Sequence, residues 1–424
     1  MTQQSADQWR SWQGLLALLS LALCGLLWLN GLLGSLQRPS VSHALEIRQQ
    51  ELAVLAEPAV PALWRRPLLG ADPSAALRKQ LQQQASGANA EGLNESEQFT
   101  LALLDQQRDL PPPPALLTPL QQRLLCQRGS AAAGTCIEMA GAESALQRLL
   151  WLTLAPVLLM LLGTVLLLRQ LWLWWRRRLP AYPPLLGPPL SLVQVTLVVA
   201  GGFVVLGELV IPLLLGPLLA WLLRPLAFDP LLQQAASVLV LYGALMLSPL
   251  LLLTLALRSQ PNPPSGGWLQ WRWRPWSQGL QRAIAQLLMV LPLVALAGWL
   301  LQHLWADPSG SNPLLEMVLT SSSPLPLLLL ASTALVLAPL FEETLFRGVL
   351  MPVLAQHWGA AWGVVLSAAC FALAHLSLGE LVPLFVLGLG LGWLRLQSGR
   401  LASCALMHSL WNGLTFANLL LLAG

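Results

Sequence analysis

The sequence predicts an all-α, polytopic integral membrane protein, a helical bundle with a small extramembrane region near its N-terminus. Of the 424 residues, 55% are hydrophobic and only 10% are charged, whereas soluble domains carry about 25% charged residues. Several uncharged stretches also reach the roughly 20 residues that cross a bilayer as a helix. These features exclude a water-soluble globular protein. The net charge of +4 is too small and too scattered to indicate a nucleic-acid partner.

Apolar runs account for most of the chain. The first, Gly14 to Leu36, has 23 uncharged residues, longer than a signal-peptide core, so residues 1–36 are predicted to form a retained membrane anchor. We expect about nine spans in all. The later runs lie at about 149–173, 188–223, 231–257, 283–304, 323–356, 361–377, 381–396 and 401–423. Those within 149–322 have no role that the sequence assigns.

Charge is concentrated between the first two runs. Residues 37–148 hold 11 of the 19 acidic residues and 10 of the 23 basic ones. We expect this segment to be a partly helical extramembrane region, broken by the prolines Pro111 to Pro114. Cys126 and Cys136 lie ten residues apart within it and can form a disulfide if the segment is extracytoplasmic.

Arginines next to the apolar runs predict the orientation, because basic residues in short loops favour the cytoplasm. Three alternate connections are rich in arginine: Arg169 and Arg176 to Arg178; Arg258, Arg272, Arg274 and Arg282; and Arg395 with Arg400. We therefore predict a plasma-membrane protein with a cytoplasmic N-terminus and an extracytoplasmic region at 37–148.

Charged residues inside apolar sequence mark the last part of the chain. Glu342, Glu343 and Arg347 stand within the 323–356 run, where a charge costs about 2.5 to 3.5 kcal/mol at a helix centre. Arg395 is interpreted as part of a surface turn and Glu380 as a loop residue. The three intramembrane charges therefore need a partner or a functional role.

Helical spacing predicts how these charges are shared. Glu343 and Arg347 are four residues apart, so they lie on one helix face and can neutralise each other. Glu342 points about 100° away and is left free. Its alternatives are a second contact with Arg347 or a hydrogen bond across the bundle.

Two histidines lie in neighbouring apolar runs. His375 follows Phe371 by four residues, and His408 precedes Asn412 by four, so each histidine has a supporting residue on its own face. Counted from the expected cytoplasmic ends, Glu342, His375 and His408 lie roughly 18, 21 and 12 Å deep. A single buried histidine is usually a packing residue, but two beside an unpaired glutamate favour a catalytic or metal-binding cluster.

Such a cluster is suited to hydrolysis. A desolvated carboxylate can act as general base on a water that a neutral imidazole helps to hold. The other histidine, with Asn412, can donate hydrogen bonds to the developing oxyanion. Glu342, His375 and His408 are also suitable zinc ligands. Both a zinc site and a metal-free mechanism are compatible with these residues.

Three strings carry a resemblance to a known family. They are Glu342-Glu343-Thr-Leu-Phe-Arg347, Phe371-Ala-Leu-Ala-His375 and His408-Ser-Leu-Trp-Asn412. Together they resemble the EExxxR, FxxxH and HxxxN motifs of the CPBP family, the intramembrane CAAX-prenyl and bacteriocin-processing proteases, also called Abi-domain proteins. The resemblance covers residues 323–424, which it implies are a protease core.

The resemblance implies a role for each matching residue. Glu342 would be the general base, His375 would help to bind and activate water, and His408 with Asn412 would stabilise the oxyanion. Glu343, Arg347 and Phe371 would support them. Members of the family are described as metalloproteases and also as metal-free glutamate enzymes, and the motifs agree with either.

We therefore expect an intramembrane endopeptidase that cleaves a membrane-associated protein or peptide. One alternative is a proton-coupled transporter, since embedded Glu and His also build proton relays. The other is a non-catalytic membrane scaffold or immunity protein, because family membership does not guarantee turnover.

Overall fold

The protein is α-helical throughout the part of the chain that the computed structural model describes. The described residues are 3–37, 41–86, 93–114, 116–129, 141–226, 228–258, 260, 262–305, 313–321 and 323–423. The helices in these ranges are α1 (Gln3–Ser35), α2 (Val41–Ala56), α3 (Ala62–Leu69), α4 (Pro73–Ser86), α5 (Glu95–Leu104), α6 (Pro119–Gln127), α7 (Ala142–Trp175), α8 (Leu192–Leu226), α9 (Pro230–Leu257), α10 (Trp276–Leu304), α11 (Pro313–Thr320), α12 (Pro324–Trp358), α13 (Ala360–Leu373), α14 (Leu378–Ser398) and α15 (Leu401–Ala423).

Membrane-spanning helices dominate the fold, as predicted. Within the described ranges, 8 helices are long and apolar enough to cross a bilayer: α1, α7, α8, α9, α10, α12, α14 and α15. The protein is therefore a multi-pass integral membrane protein. The prediction of a span at 361–377, the seventh of nine, is wrong, because the helix there is too short to cross a bilayer.

The short helix α13 replaces that span. It ends at Leu373 after 14 residues, fewer than the roughly 20 that cross a bilayer. The chain turns at Leu376, whose φ is 51°, and the hydroxyl of Ser377 accepts from the backbone N–H of Glu380 at 3.3 Å. Glu380 therefore lies in the first turn of α14, and its assignment to a loop is corrected.

Contacts divide the chain into two compact units. One comprises residues 41–158 with 420–424, and contains α2 to α6 and the start of α7. Its helices bury leucine-rich clusters around Leu52 and Leu77. Pro111 to Pro114 are non-helical, as expected. Cys126 is disulfide-bonded, and Cys136 lies outside the described residues.

The other unit, residues 1–40 with 159–419, contains tightly packed spanning helices. A Cβ on Gly388 of α14 would lie 2.9 Å from the Cβ of Ala368 on α13, and one on Gly390 would lie 2.3 Å from Cγ2 of Val290 on α10. Helices in membranes approach closely where small residues line the contact. These glycines therefore let α14 pack directly against both neighbours.

Helix α12 departs from regular α-helical geometry at two places. Its backbone is π-helical at Thr333–Leu337 and again at Thr344–Leu350. Local π-bulges change the direction in which side chains project and often occur at functional sites. Glu343 immediately precedes the second π segment, and Arg347 lies within it.

A substitution at Gly390 tests this packing. Gly390→Ala would place a methyl group against the buried Val290, and overpacking of this kind costs about 1 to 3 kcal/mol. We expect a lower free energy of unfolding when the purified protein is titrated with SDS in mixed micelles. Gly298→Ala on α10 is the control, because a Cβ there meets nothing within 4 Å. Equal stability of the two variants would contradict the packing described.

Candidate active site

A buried ion pair forms the base of the site. Nη1 of Arg347 donates to Oε1 of Glu343 at 3.0 Å, and both side chains are 0% exposed. Nη2 of Arg347 donates to the carbonyl of Gly388 at 3.2 Å, and the guanidinium carbon lies 4.3 Å from the centre of the Phe371 ring. The predicted ion pair is therefore present, and it neutralises a charge that burial would otherwise make very costly.

The same carboxylate orients His408. Nδ1 of His408 lies 3.0 Å from Oε1 of Glu343. A carboxylate paired with arginine can only accept, so Nδ1 carries the hydrogen and a neutral ring presents the lone pair of Nε2. That Nε2 lies 3.9 Å from Oε2 of Glu342. Glu342 and His408 are thus brought together across α12 and α15.

Asn412 has a different partner from the one expected. Its Nδ2 donates to the carbonyl of Ala334 at 2.7 Å, in the first π segment of α12. The structure shows no hydrogen bond between Asn412 and His408 among the described residues, because Nδ1 of His408 bonds to Glu343, and the role of Asn412 at the oxyanion stays a prediction. Asn412 thus links α15 to α12 by a hydrogen bond that uses one of its two amide N–H groups.

Only one of the two carboxylate oxygens of Glu342 has a hydrogen-bond partner among the described residues. The hydroxyl of Tyr242 on α9 donates to its Oε1 at 2.8 Å. Its Oε2 has no hydrogen-bond partner among the described residues, and the side chain is 14% exposed. The expectation that Glu342 is free is therefore wrong for Oε1, and the alternative of a hydrogen bond across the bundle is the one present.

His375 contacts the backbone and the ring of Phe371, which also lies beside His408. Its Nδ1 lies 2.8 Å from the carbonyl oxygen of Phe371, so Nδ1 donates and Nε2 is left as an acceptor in the neutral ring. The Phe371 ring centre lies 4.8 Å from that of His375 and 5.7 Å from that of His408. Both imidazoles therefore contact one aromatic ring. The described residues contain no direct hydrogen bond between His375 and Glu342.

The arrangement of these donors bears on zinc binding. Zinc ligands lie about 2.0 to 2.2 Å from the metal and converge on one point. Across the described part of the chain, no three His, Cys, Asp or Glu side chains are grouped closely enough to hold a metal ion. Glu342, His375 and His408 as placed do not fit a three-ligand zinc centre.

Two residues at the site, Tyr242 and Arg395, were not predicted from the sequence to lie there. Tyr242 is one of only two tyrosines in the chain, and its place in the middle of an apolar run was the available signal. Arg395 was expected at the surface but is 0% exposed. Its Nη2 donates to the carbonyl of Leu186 at 2.9 Å, and its Nε donates to that of Arg347 at 3.4 Å. Arg395 therefore supports the backbone beneath the ion pair.

This part of the chain is similar to a known protein family. Residues 324–414 match the family model described as Type II CAAX prenyl endopeptidase Rce1-like, which confirms the predicted resemblance to the CPBP proteases for that segment. Residues 42–112 match a domain of unknown function, DUF8675. No solved structure matches the chain.

One curated relative adds little about activity. It is described as an uncharacterized 24.3 kDa protein of Escherichia coli, and is 32% identical over 103 residues. The match covers 23% of this chain and 48% of the E. coli protein. The chain thus spans about half the length of the curated relative it matches.

A mutant cycle tests the buried pair. Glu343→Leu leaves the charge of Arg347 buried without its carboxylate, which typically costs about 3 to 5 kcal/mol. Arg347→Met leaves the buried carboxylate of Glu343 without its counter-charge, and we expect a similar loss of free energy of unfolding. The double variant removes both charges and should recover part of the free energy of unfolding, measured by SDS titration, while Nδ1 of His408 still lacks its acceptor. Simple addition of the two single losses would contradict the pairing.

Proposed function

We propose that the protein is an intramembrane endopeptidase that hydrolyses a peptide bond of a membrane-associated protein or peptide, with Glu342 as general base. The observation that carries this proposal is the position of Oε2 of Glu342. It is a buried carboxylate oxygen without a hydrogen-bond partner among the described residues, 3.9 Å from Nε2 of His408.

The gap between these two atoms suits a water molecule. A distance of 3.9 Å is too long for a direct hydrogen bond, whereas one water can bridge two such groups. Both Oε2 and the Nε2 lone pair are acceptors, so the water would donate one hydrogen to each. Its own lone pairs then remain available to attack a carbonyl carbon.

The reaction follows from this orientation. As the water oxygen bonds to the carbonyl carbon, one of its protons passes to Oε2 of Glu342. Glu342 then gives that proton to the departing amide nitrogen as the C–N bond breaks, leaving a carboxylic acid and an amine. The remaining N–H of Asn412 is the proposed donor to the oxyanion. Because one of the water's two hydrogens passes to Glu342, Nε2 of His375 is proposed to share the other hydrogen with Nε2 of His408.

The partly exposed side chains of the site suggest the side from which a substrate enters. Glu342, His375 and Asn412 are partly exposed, whereas Glu343 and Arg347 are fully buried behind them. A peptide would therefore approach from the side of the partly exposed residues. The matched family, described as CAAX prenyl endopeptidases, supports a substrate presented by the membrane. We retain a plasma-membrane location and a cytoplasmic N-terminus as part of the proposal.

Glu342→Gln tests the general base. The amide cannot accept a proton from water, so cleavage should fall to background while the protein stays folded and inserted. The N- and C-termini of membrane proteins are mapped in cells that carry the wild-type protein and in cells that carry the variant. Termini that occur only with the wild-type protein identify substrates whose processing depends on Glu342. Purified protein is then assayed with those peptides and with a quenched fluorogenic peptide ending in a prenylated CAAX motif.

Glu208→Gln is the matched control, because it removes a different carboxylate from a spanning helix, α8. It should process substrates as the wild type does. Full activity of Glu342→Gln would overturn the base assignment. Identical termini in wild-type and Glu342→Gln membranes would instead favour the non-catalytic scaffold.

Two substitutions at His375 separate the roles of its ring nitrogens. His375→Asn places an amide N–H near the Nδ1 position, where it can still donate to the carbonyl of Phe371, but nothing replaces Nε2. His375→Gln extends an amide towards the Nε2 position. We expect the Gln variant to keep more activity than the Asn variant in the same peptide assay, and a thermal unfolding measurement checks that both variants are folded. The reverse order would show that the Nδ1 contact matters more.

A further inference from the structure

We infer that Tyr242 is a positioning residue for the proposed general base. Its hydroxyl donates to Oε1 of Glu342 at 2.8 Å, so that Oε2 is the oxygen left 3.9 Å from Nε2 of His408. This inference rests on the proposed function of Glu342. It adds a residue of α9, outside the matched segment 324–414, to the machinery.

The packing of α9 fixes where this hydroxyl lies. The ring of Tyr242 meets that of Phe341 edge-on, with centroids 6.4 Å apart and planes at 89°. The hydroxyl of Ser248, further along α9, donates to the carbonyl of Gly202 on α8 at 2.6 Å. A Cβ on Gly202 would lie 2.9 Å from the Cα of Pro249. The two helices are therefore in close contact, and the position of Tyr242 does not depend on Glu342 alone.

A single neutral donor has a specific effect on a carboxylate. Without it, the two oxygens of Glu342 are equivalent and exchange by rotation of the carboxylate group. The hydroxyl of Tyr242 removes this equivalence but brings no positive charge, in contrast to Arg347, which neutralises Glu343. Glu342 is thus oriented by a neutral donor, without the ion pair that neutralises Glu343.

Tyr242→Phe removes the hydroxyl and keeps the ring that packs on Phe341. Hydrogen bonds to charged groups are typically strong enough that we expect kcat to fall about 10- to 150-fold, while KM stays within about twofold because substrate contacts are unchanged. Tyr182→Phe is the matched control and should leave kcat unchanged, because Tyr182 is 42% exposed and lies outside the site. The substrate is the peptide whose cleavage depends on Glu342.

A spectroscopic measurement tests the contact without any substrate. The chain has two tyrosines, so the Tyr182→Phe protein labelled with carbon-13 at tyrosine Cζ reports Tyr242 alone. Glu342→Gln should shift this resonance, because an amide oxygen accepts more weakly than a carboxylate. Glu208→Gln should shift it less, because that substitution leaves the carboxylate that accepts from the hydroxyl in place.

The outcomes distinguish this inference from the proposed function. An unchanged Tyr242 resonance in Glu342→Gln, or a larger shift in Glu208→Gln, overturns the contact. Wild-type kcat in Tyr242→Phe, with Glu342→Gln inactive, overturns the positioning role and leaves the general base standing. Activity in Glu342→Gln defeats the proposed function and the positioning role together, whatever the label shows.

Discussion

The neutralisation of one arginine organises the whole site. Arg347 is fully buried in a spanning helix, and Oε1 of Glu343 is its counter-charge at 3.0 Å. A guanidinium in such surroundings is tolerated only when it is paired and hydrogen-bonded. The carbonyl of Gly388 and the ring of Phe371 complete its surroundings. Because Oε1 of Glu343 also bonds to Nδ1 of His408, the requirement to bury Arg347 also determines how the imidazole is turned.

Two adjacent glutamates thereby acquire opposite properties. Glu343 contacts a cation and an imidazole through one oxygen and is fully buried. Glu342 projects from another face of α12, where its described partners are the hydroxyl of Tyr242 and, at 3.9 Å, His408. The positive charge of Arg347 is already balanced by Glu343. No arginine or lysine contacts the carboxylate of Glu342 in the described structure, so no ion pair neutralises it as Arg347 neutralises Glu343, and this suits the proposed general base.

Local spacing predicted the parts of this site that depend on one helix, and little else. The bond between Glu343 and Arg347 follows from a separation of four residues, even though α12 is π-helical there. Tyr242 is 100 residues from Glu342 in sequence, and a depth estimate says nothing about how each helix is rotated. Arg395 was misplaced for a related reason. Counting basic residues near helix ends treats each as exposed, whereas this one is completely buried.

The placement of Tyr242 gives a structural role to helices that precede the matched segment. The matched segment, 324–414, contains both glutamates, both histidines and Asn412, so on sequence alone the earlier helices have no role. Yet Tyr242 of α9 donates a hydrogen bond to one oxygen of Glu342. Helix α9 in turn packs against α8, where Ser248 and Pro249 contact Gly202. A disturbance of the contact between α8 and α9 would therefore reach the carboxylate through a single hydroxyl. The earlier helices are part of the support of the site, and the matched segment by itself would lack the group that gives Glu342 its orientation.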